Sequence, residues 1–150
     1  MSWATCAHGH RHWGRRGAAG LLLADRGRVL LQLRAGWSHL GGTWSIPGGA
    51  LERGESAVEA ALREAREELA VDPSDVEVRS SYVATCGGWS YETVLAVSRG
   101  PVALCDLSES EAHVWAGPAA VVELPLHPAF RSAWAAEDGE LQAFVAATGA

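Results

Sequence analysis

The chain has 150 residues, a formal charge of −6, three cysteines and seven tryptophans. That length suits one domain around one core, and the negative charge argues against a long nucleic acid gathered by electrostatics. No run of about 18 apolar residues is present, so no membrane span is predicted.

In chain order, residues 1–16 stand apart. Cys6, His8, His10 and His12 alternate, and Arg15 and Arg16 follow. An extended segment would set the four on one side, and Cys and His are zinc ligands. The paired spacings of known zinc modules are absent, so the segment reads as a mobile or surface strand preceding a single domain over 17–150. The sequence leaves open whether Cys6, His8, His10 and His12 bind a metal. No apolar signal-like stretch follows a charged start, and Cys6, Cys86 and Cys105 are odd in number and widely spread. Both features predict free thiols in a reducing cytoplasm.

Gly17 to Ala24 and Arg28 to Arg34 read as two strands joined by a turn at Asp25-Arg26-Gly27. The first is apolar throughout, as a central strand would be. The second alternates Val29, Leu31 and Leu33 with Leu30, Gln32 and Arg34. Arg34 closes it, either as a substrate contact or as a surface arginine. Residues 35–46 form a glycine-rich loop in which Trp37 and His39 are candidates to line a nucleotide pocket. Trp44 and Ile46 alternate in a short strand entering Pro47, which favours core packing for Trp44.

Gly49 to Val71 organises the chain. It follows the rigid turn Ile46-Pro47-Gly48 and runs into a helix carrying Arg63, Glu64, Glu67 and Glu68. At about 100° per residue, the three carboxylates share roughly one third of the circumference. Val58, Ala61, Leu62, Ala65 and Leu69 form the adjacent apolar stripe. Three carboxylates with no lysine among them repel one another unless a cation lies between them. Hard divalent ions take oxygen ligands, so this face is a candidate Mg²⁺ site.

The spacing Gly49, Glu55 and then Arg63-Glu64-Ala65-Arg66-Glu67-Glu68, ending in Val71, resembles the Nudix box, G-x5-E-x7-R-E-U-x-E-E-x-G-U, with U a bulky apolar residue. Ala65 is a small U, and Ala70 stands where the box has Gly, which would end the helix in a left-handed conformation. The resemblance covers the box tightly and residues 17–145 loosely. It implies an α/β (α+β) fold, a Nudix-type α/β/α sandwich with a mixed β-sheet between helices. It also implies hydrolysis of a phosphoanhydride in a nucleoside diphosphate derivative. By resemblance Glu64, Glu67, Glu68 and the Gly48 carbonyl hold Mg²⁺, with Mn²⁺ as a substitute. Glu64 or a loop carboxylate such as Glu109 is the general base, and Arg63 pairs with Glu55 and orients the site.

After the box, Asp72-Pro73-Ser74 stops the helix. Val76 to Thr85 and Tyr91 to Val97 read as strands around Gly87-Gly88, flanked by Tyr82, Trp89 and Tyr91. Residues 98–116 hold an acidic loop with Asp106, Glu109 and Glu111, then a strand at Ala112 to Trp115. Many Nudix enzymes bring a further carboxylate from such a loop towards the metals. That makes Glu109 a catalytic candidate and Glu111 a substrate-binding one. Ala119 to Glu123, Ala129 to Ala136 and Glu140 to Ala147 read as closing helices.

A proline about fifteen residues beyond the box marks ADP-ribose pyrophosphatases, and none occurs between Ser74 and Gly100. The family analogy then favours a MutT-like enzyme acting on a (deoxy)nucleoside triphosphate. Dinucleoside polyphosphates or nucleotide sugars are the alternative substrates, and a nucleotide-binding module without catalysis is the alternative class. The partner expected is a small nucleotide, with no long nucleic acid and no membrane. The oligomeric state is not readable from the sequence; Nudix relatives are often dimers, which leaves a homodimer open.

Overall fold

The structure is a computed structural model that describes residues 3–36, 41–107 and 110–149. Strands β1 (Trp3–Thr5) and β2 (Arg11–Trp13) form a separate hairpin. Strands β3 (Ala18–Asp25), β4 (Arg28–Arg34), β5 (Trp44–Ser45), β6 (Gly48–Ala50), β7 (Val76–Cys86), β8 (Trp89–Ser98) and β9 (Ser110–Ala116) build the mixed main sheet. Helix α1 (Ala57–Leu69) covers one face, and α2 (Pro118–Val121), α3 (Pro128–Trp134) and α4 (Glu140–Ala147) belong to the other.

β3 runs parallel to β8 and lies in the middle of the sheet, covered on both sides. That is why its sequence is an unbroken apolar run rather than an alternating one. Leu21, Leu23 and Leu30 pack with Ala60, Ala61, Ala65 and Leu69 of α1. Leu22, Ala24, Val29 and Leu31 pack with Val121, Phe130, Trp134, Leu141 and Val145. The predicted layer order, sheet between helices, is therefore the one observed. Trp44 packs against the second of these cores, as its alternation with Ile46 predicts.

The site depends on a break between β3 and β4. These strands pair only beside their turn, at Ala24–Val29 and Asp25–Arg28. Beyond it β6 bonds to β3 through Ala18–Ala50, Ala19–Gly49 and Gly20–Gly48, while β5 bonds to β4 through Gln32–Ser45 and Leu33–Trp44. Residues 44–50 thus fill the opening and carry Gly48 and Gly49 beneath α1. Gly20 makes room for them. A Cβ there would meet the Tyr91 hydroxyl at 2.2 Å and the Pro47 carbonyl at 3.0 Å.

α1 starts where its cap dictates. The Ser56 hydroxyl accepts from the Glu59 amide and the Glu59 carboxylate accepts from the Ser56 amide. Such a capping box satisfies two donors that the first turn leaves open. The helix ends in the left-handed conformation that the box glycine would supply, with Ala70 at φ 61° and ψ 27°. The Ala70 amide donates to the Arg66 carbonyl at 3.0 Å and the Val71 amide to the Ala65 carbonyl at 3.3 Å. The exit is kept, at a conformational cost of about 1–2 kcal/mol for a residue with a Cβ.

The N-terminal segment differs from the single strand expected. Gly9, at φ 80°, lets the chain reverse, and the turn closes through Cys6 N–H to the His10 carbonyl and Gly9 N–H to the Cys6 carbonyl, both 2.9 Å. The alternation of Cys6, His8, His10 and His12 therefore belongs to a hairpin, with Ala4 opposite His12.

Candidate active site

Helix periodicity places Glu64, Glu67 and Glu68 on one side of α1, and the structure divides them by environment. Arg63 is the hub of the outer group. Its Nε and Nη2 donate to the two Glu55 carboxylate oxygens at 2.7 and 2.9 Å, and Nη2 also donates to the Ala50 carbonyl at 3.1 Å. Its Nη1 donates to Glu64 at 2.9 Å and to Glu67 at 3.2 Å. The bidentate fork holds the Glu55 carboxyl below its ordinary value and raises the guanidinium further. Arg63 thereby ties the loop before α1, the end of β6 and two carboxylates into one unit.

Glu68 points the other way, into the sheet, and is buried. Its Oε1 accepts from Gln32 Nε2 at 2.6 Å and its Oε2 from the Gly48 amide at 3.1 Å. Burial pushes its pKa up to about 9, and the nearby Glu64 charge adds to this against the Gln32 hydrogen bond and the Arg34 charge. Glu64 lies against Gly49, where a Cβ would sit 2.6 Å from its carboxylate oxygen. The Tyr91 hydroxyl packs on Gly20 and Gly48, and burial together with the Glu68 charge raises its pKa.

These residues fit a hard divalent cation. Glu68 is a buried carboxylate whose negative form lacks full compensation, and Glu64, close enough to raise its pKa, supplies more oxygen donors. Gly49 leaves the space that any side chain would take from Glu64.

Arg34 is half-buried at the end of β4, and its charge is felt by both Glu68 and Tyr91. Glu111 is exposed and accepts from the Gly36 amide at 2.9 Å, so it anchors the start of the glycine-rich loop. Trp37, His39 and Glu109 lie outside the described residues. Asp106 pairs with His113 Nδ1 at 2.6 Å, and the Leu107 amide donates to the Glu68 carbonyl at 3.2 Å. The acidic loop is thereby tied to the end of α1.

Sequence reasoning missed Gln32 and Tyr91 as site residues. Gln32 had a signal: an amide inside the run Val-Leu-Leu-Gln-Leu must be bonded if it is buried. Tyr91 had none, because nothing local says which aromatic reaches the two glycines.

An α/β/α sandwich that presents a glutamate-rich helix over a glycine pair defines the class. The NUDIX domain model matches residues 14–136, and the chain belongs to the Nudix family. A putative 8-oxo-dGTP diphosphatase 3 of Mycobacterium tuberculosis is 41% identical over 143 residues, 88% of this chain and 66% of that protein. A nucleoside triphosphate pyrophosphatase/Nudix hydrolase fusion protein of Bifidobacterium longum is 49% identical over 104 residues, 65% of this chain and 22% of that protein. The chain thus spans less than two thirds of either relative. Among solved structures, the Nudix hydrolase RenU of M. smegmatis superposes with a TM-score of 0.80 at 41% identity, covering 89% of both chains.

Proposed function

We propose that this chain is a Mg²⁺-dependent pyrophosphohydrolase that cleaves a (deoxy)nucleoside triphosphate to the monophosphate and pyrophosphate. The observation that carries the reading is the buried Glu68 carboxylate, held between Gln32 and the Gly48 amide beside Glu64. Glu64, Glu67, Glu68 and the Gly48 carbonyl are the ligands proposed for the ion, with Mn²⁺ a substitute. Bound there, a divalent ion would neutralise phosphoryl oxygens and lower the pKa of a water. Glu64 takes the proton from the attacking water, and Glu109 is the loop carboxylate that would share or assume that work. Arg63 orients Glu64 and Glu67 through Nη1 while Glu55 fixes the guanidinium. Arg34 is the proposed phosphate contact, and Trp37, His39 and Glu111 belong to the loop and strand proposed to border the nucleotide. The triphosphate class is supported by the M. tuberculosis relative, a putative 8-oxo-dGTP diphosphatase.

The test is phosphate and pyrophosphate release with Mg²⁺ over (deoxy)nucleoside triphosphates, oxidised guanine nucleotides, dinucleoside polyphosphates and nucleotide sugars. Glu64→Gln and Glu68→Gln should each lower turnover by at least roughly 100-fold, the scale of a lost general base or electrostatic contact. Near-normal turnover in both folded variants would refute the assigned roles. Nucleotide binding without release of any product would move the reading to a binding module.

A further inference from the structure

The hairpin at the N-terminus brings its Cys and His residues to the turn between β7 and β8. Ligand atoms of Cys6, His10, His12 and Cys86 all lie within 4.8 Å of one another. Cys6 Sγ is 3.3 Å from Cys86 Sγ, and His10 Nδ1 is 3.1 Å from that same sulfur. Both cysteines are free thiols. A zinc ion bound at about 2.0–2.3 Å to N and S ligands sets tetrahedral edges of roughly 3.3–3.8 Å, so the cluster is close to the size of a zinc tetrahedron. A disulfide would need the sulfurs at about 2.05 Å.

A second observation points to a ligand. His12 stacks on Trp89, with ring centroids 4.1 Å apart and planes within 7°, which fixes the imidazole. Its Nε2 is buried with no hydrogen-bond partner among the described residues. A buried ring nitrogen left unpaired costs free energy that a coordinating metal would remove. The surrounding backbone holds the arrangement: the Ala7 amide donates to the Gly87 carbonyl at 2.9 Å, and Trp89 Nε1 to the Gly14 carbonyl at 2.7 Å. Gly87 is needed there, because a Cβ would meet the Ala7 amide nitrogen at 2.5 Å.

We propose that Cys6, His10, His12 and Cys86 form a structural zinc site, separate from the carboxylates of α1, that clamps the N-terminal hairpin onto the β7–β8 turn. Two thiols lose their protons to solvent on binding, and two neutral imidazoles complete the set. Zn²⁺ with two thiolates carries no net charge. Sulfur and imidazole ligands select zinc over Mg²⁺, so the two sites sort their metals by ligand chemistry. His8, whose Nδ1 lies 3.8 Å from Cys86 Sγ, is outside the tetrahedron.

The test uses the full chain purified under reductant, with Mg²⁺ in excess to occupy oxygen sites. Metal analysis should find about one zinc per chain in wild type and in His8→Ala, and none in Cys86→Ser. Cobalt replacing zinc in the wild-type protein should give a thiolate-to-cobalt charge-transfer band, a readout that needs no variant to fold. Chelation should lower the wild-type Tm by about 5 °C or more and leave Cys86→Ser unmoved. Reduced protein that retains no zinc and shows no thiolate–cobalt band overturns the site. So does a Cys6–Cys86 disulfide in zinc-free protein, or zinc retained equally by Cys86→Ser.

Discussion

Gln32 in β4 donates through Nε2 to Oε1 of Glu68 in α1 at 2.6 Å, joining the centre of the sheet to the box helix where both side chains are buried. The bond holds one carboxylate oxygen and the Gly48 amide holds the other. Glu68 is thereby positioned before any ligand arrives, in surroundings that favour its protonated form.

A stability prediction follows, with its sign fixed by linkage. The folded pKa of about 9 lies above the ordinary carboxylate value of 4.5, so between these values the folded state binds more protons than the unfolded one. Stability contributed by protonated Glu68 is complete below the unfolded value and is lost as pH rises towards the folded one. Metal-free protein should therefore lose stability from mildly acidic to alkaline pH. Glu68→Gln should flatten that slope, leaving a difference of about 1–3 kcal/mol at neutral pH. Added Mg²⁺ should flatten it in the wild type. Thermal unfolding across pH, with and without the ion, checks this; parallel slopes in wild type and variant would show that Glu68 is not the group responsible.

Arg63→Lys tests orientation against charge. Lysine keeps the positive charge but cannot reproduce the fork on Glu55 while also reaching Glu64 and the Ala50 carbonyl. Turnover should fall by about tenfold or more with KM little changed, because Arg63 aligns the carboxylates rather than the substrate. Glu55→Gln should do the same, and the double variant should be little worse than either single one. A rise in KM at unchanged kcat would instead make Arg63 a substrate contact.

Ala70→Gly should stabilise the protein by about 1 kcal/mol, because glycine adopts φ 61° without the Cβ penalty, partly offset by greater freedom in the unfolded chain. Denaturant unfolding with an unchanged slope would measure it. Loss of stability on this substitution would mean that the Ala70 methyl contributes packing that outweighs its backbone strain.

Much of this was legible because it is local. The period of α1, the apolar run of β3 and the Arg63-Glu64 and Glu67-Glu68 pairs each declare themselves within a few residues. Pairings across distance did not. Gln32 meets Glu68 across 36 positions, and Cys86 meets Cys6 across 80, so no short-range spacing could join them. The hairpin also reads as one strand until Gly9 is seen to turn it. Trp89 reads in the sequence only as an aromatic flanking the Gly87-Gly88 turn, and in the fold it stacks on His12. An aromatic residue announces its surface area in the sequence but not its partner.

Gly20→Ala tests whether the opening between β3 and β4 sets the site. The added methyl would meet the Tyr91 hydroxyl at 2.2 Å, Ile46 Cδ1 at 2.9 Å and the Pro47 carbonyl at 3.0 Å. Overpacking of this kind costs about 1–3 kcal/mol. The strain falls on the turn that delivers the Gly48 amide to Glu68, so turnover should drop together with stability. Tyr91→Phe removes the closest clashing atom, the hydroxyl oxygen. Combined with Gly20→Ala, it should therefore recover part of the lost stability, while the Pro47 carbonyl keeps the recovery incomplete. Unfolding free energies for the two single variants and the double variant give the coupling directly. Strictly additive losses would mean that the backbone moves away from Tyr91, and that the hydroxyl does not set the spacing between β3 and the loop holding Gly48.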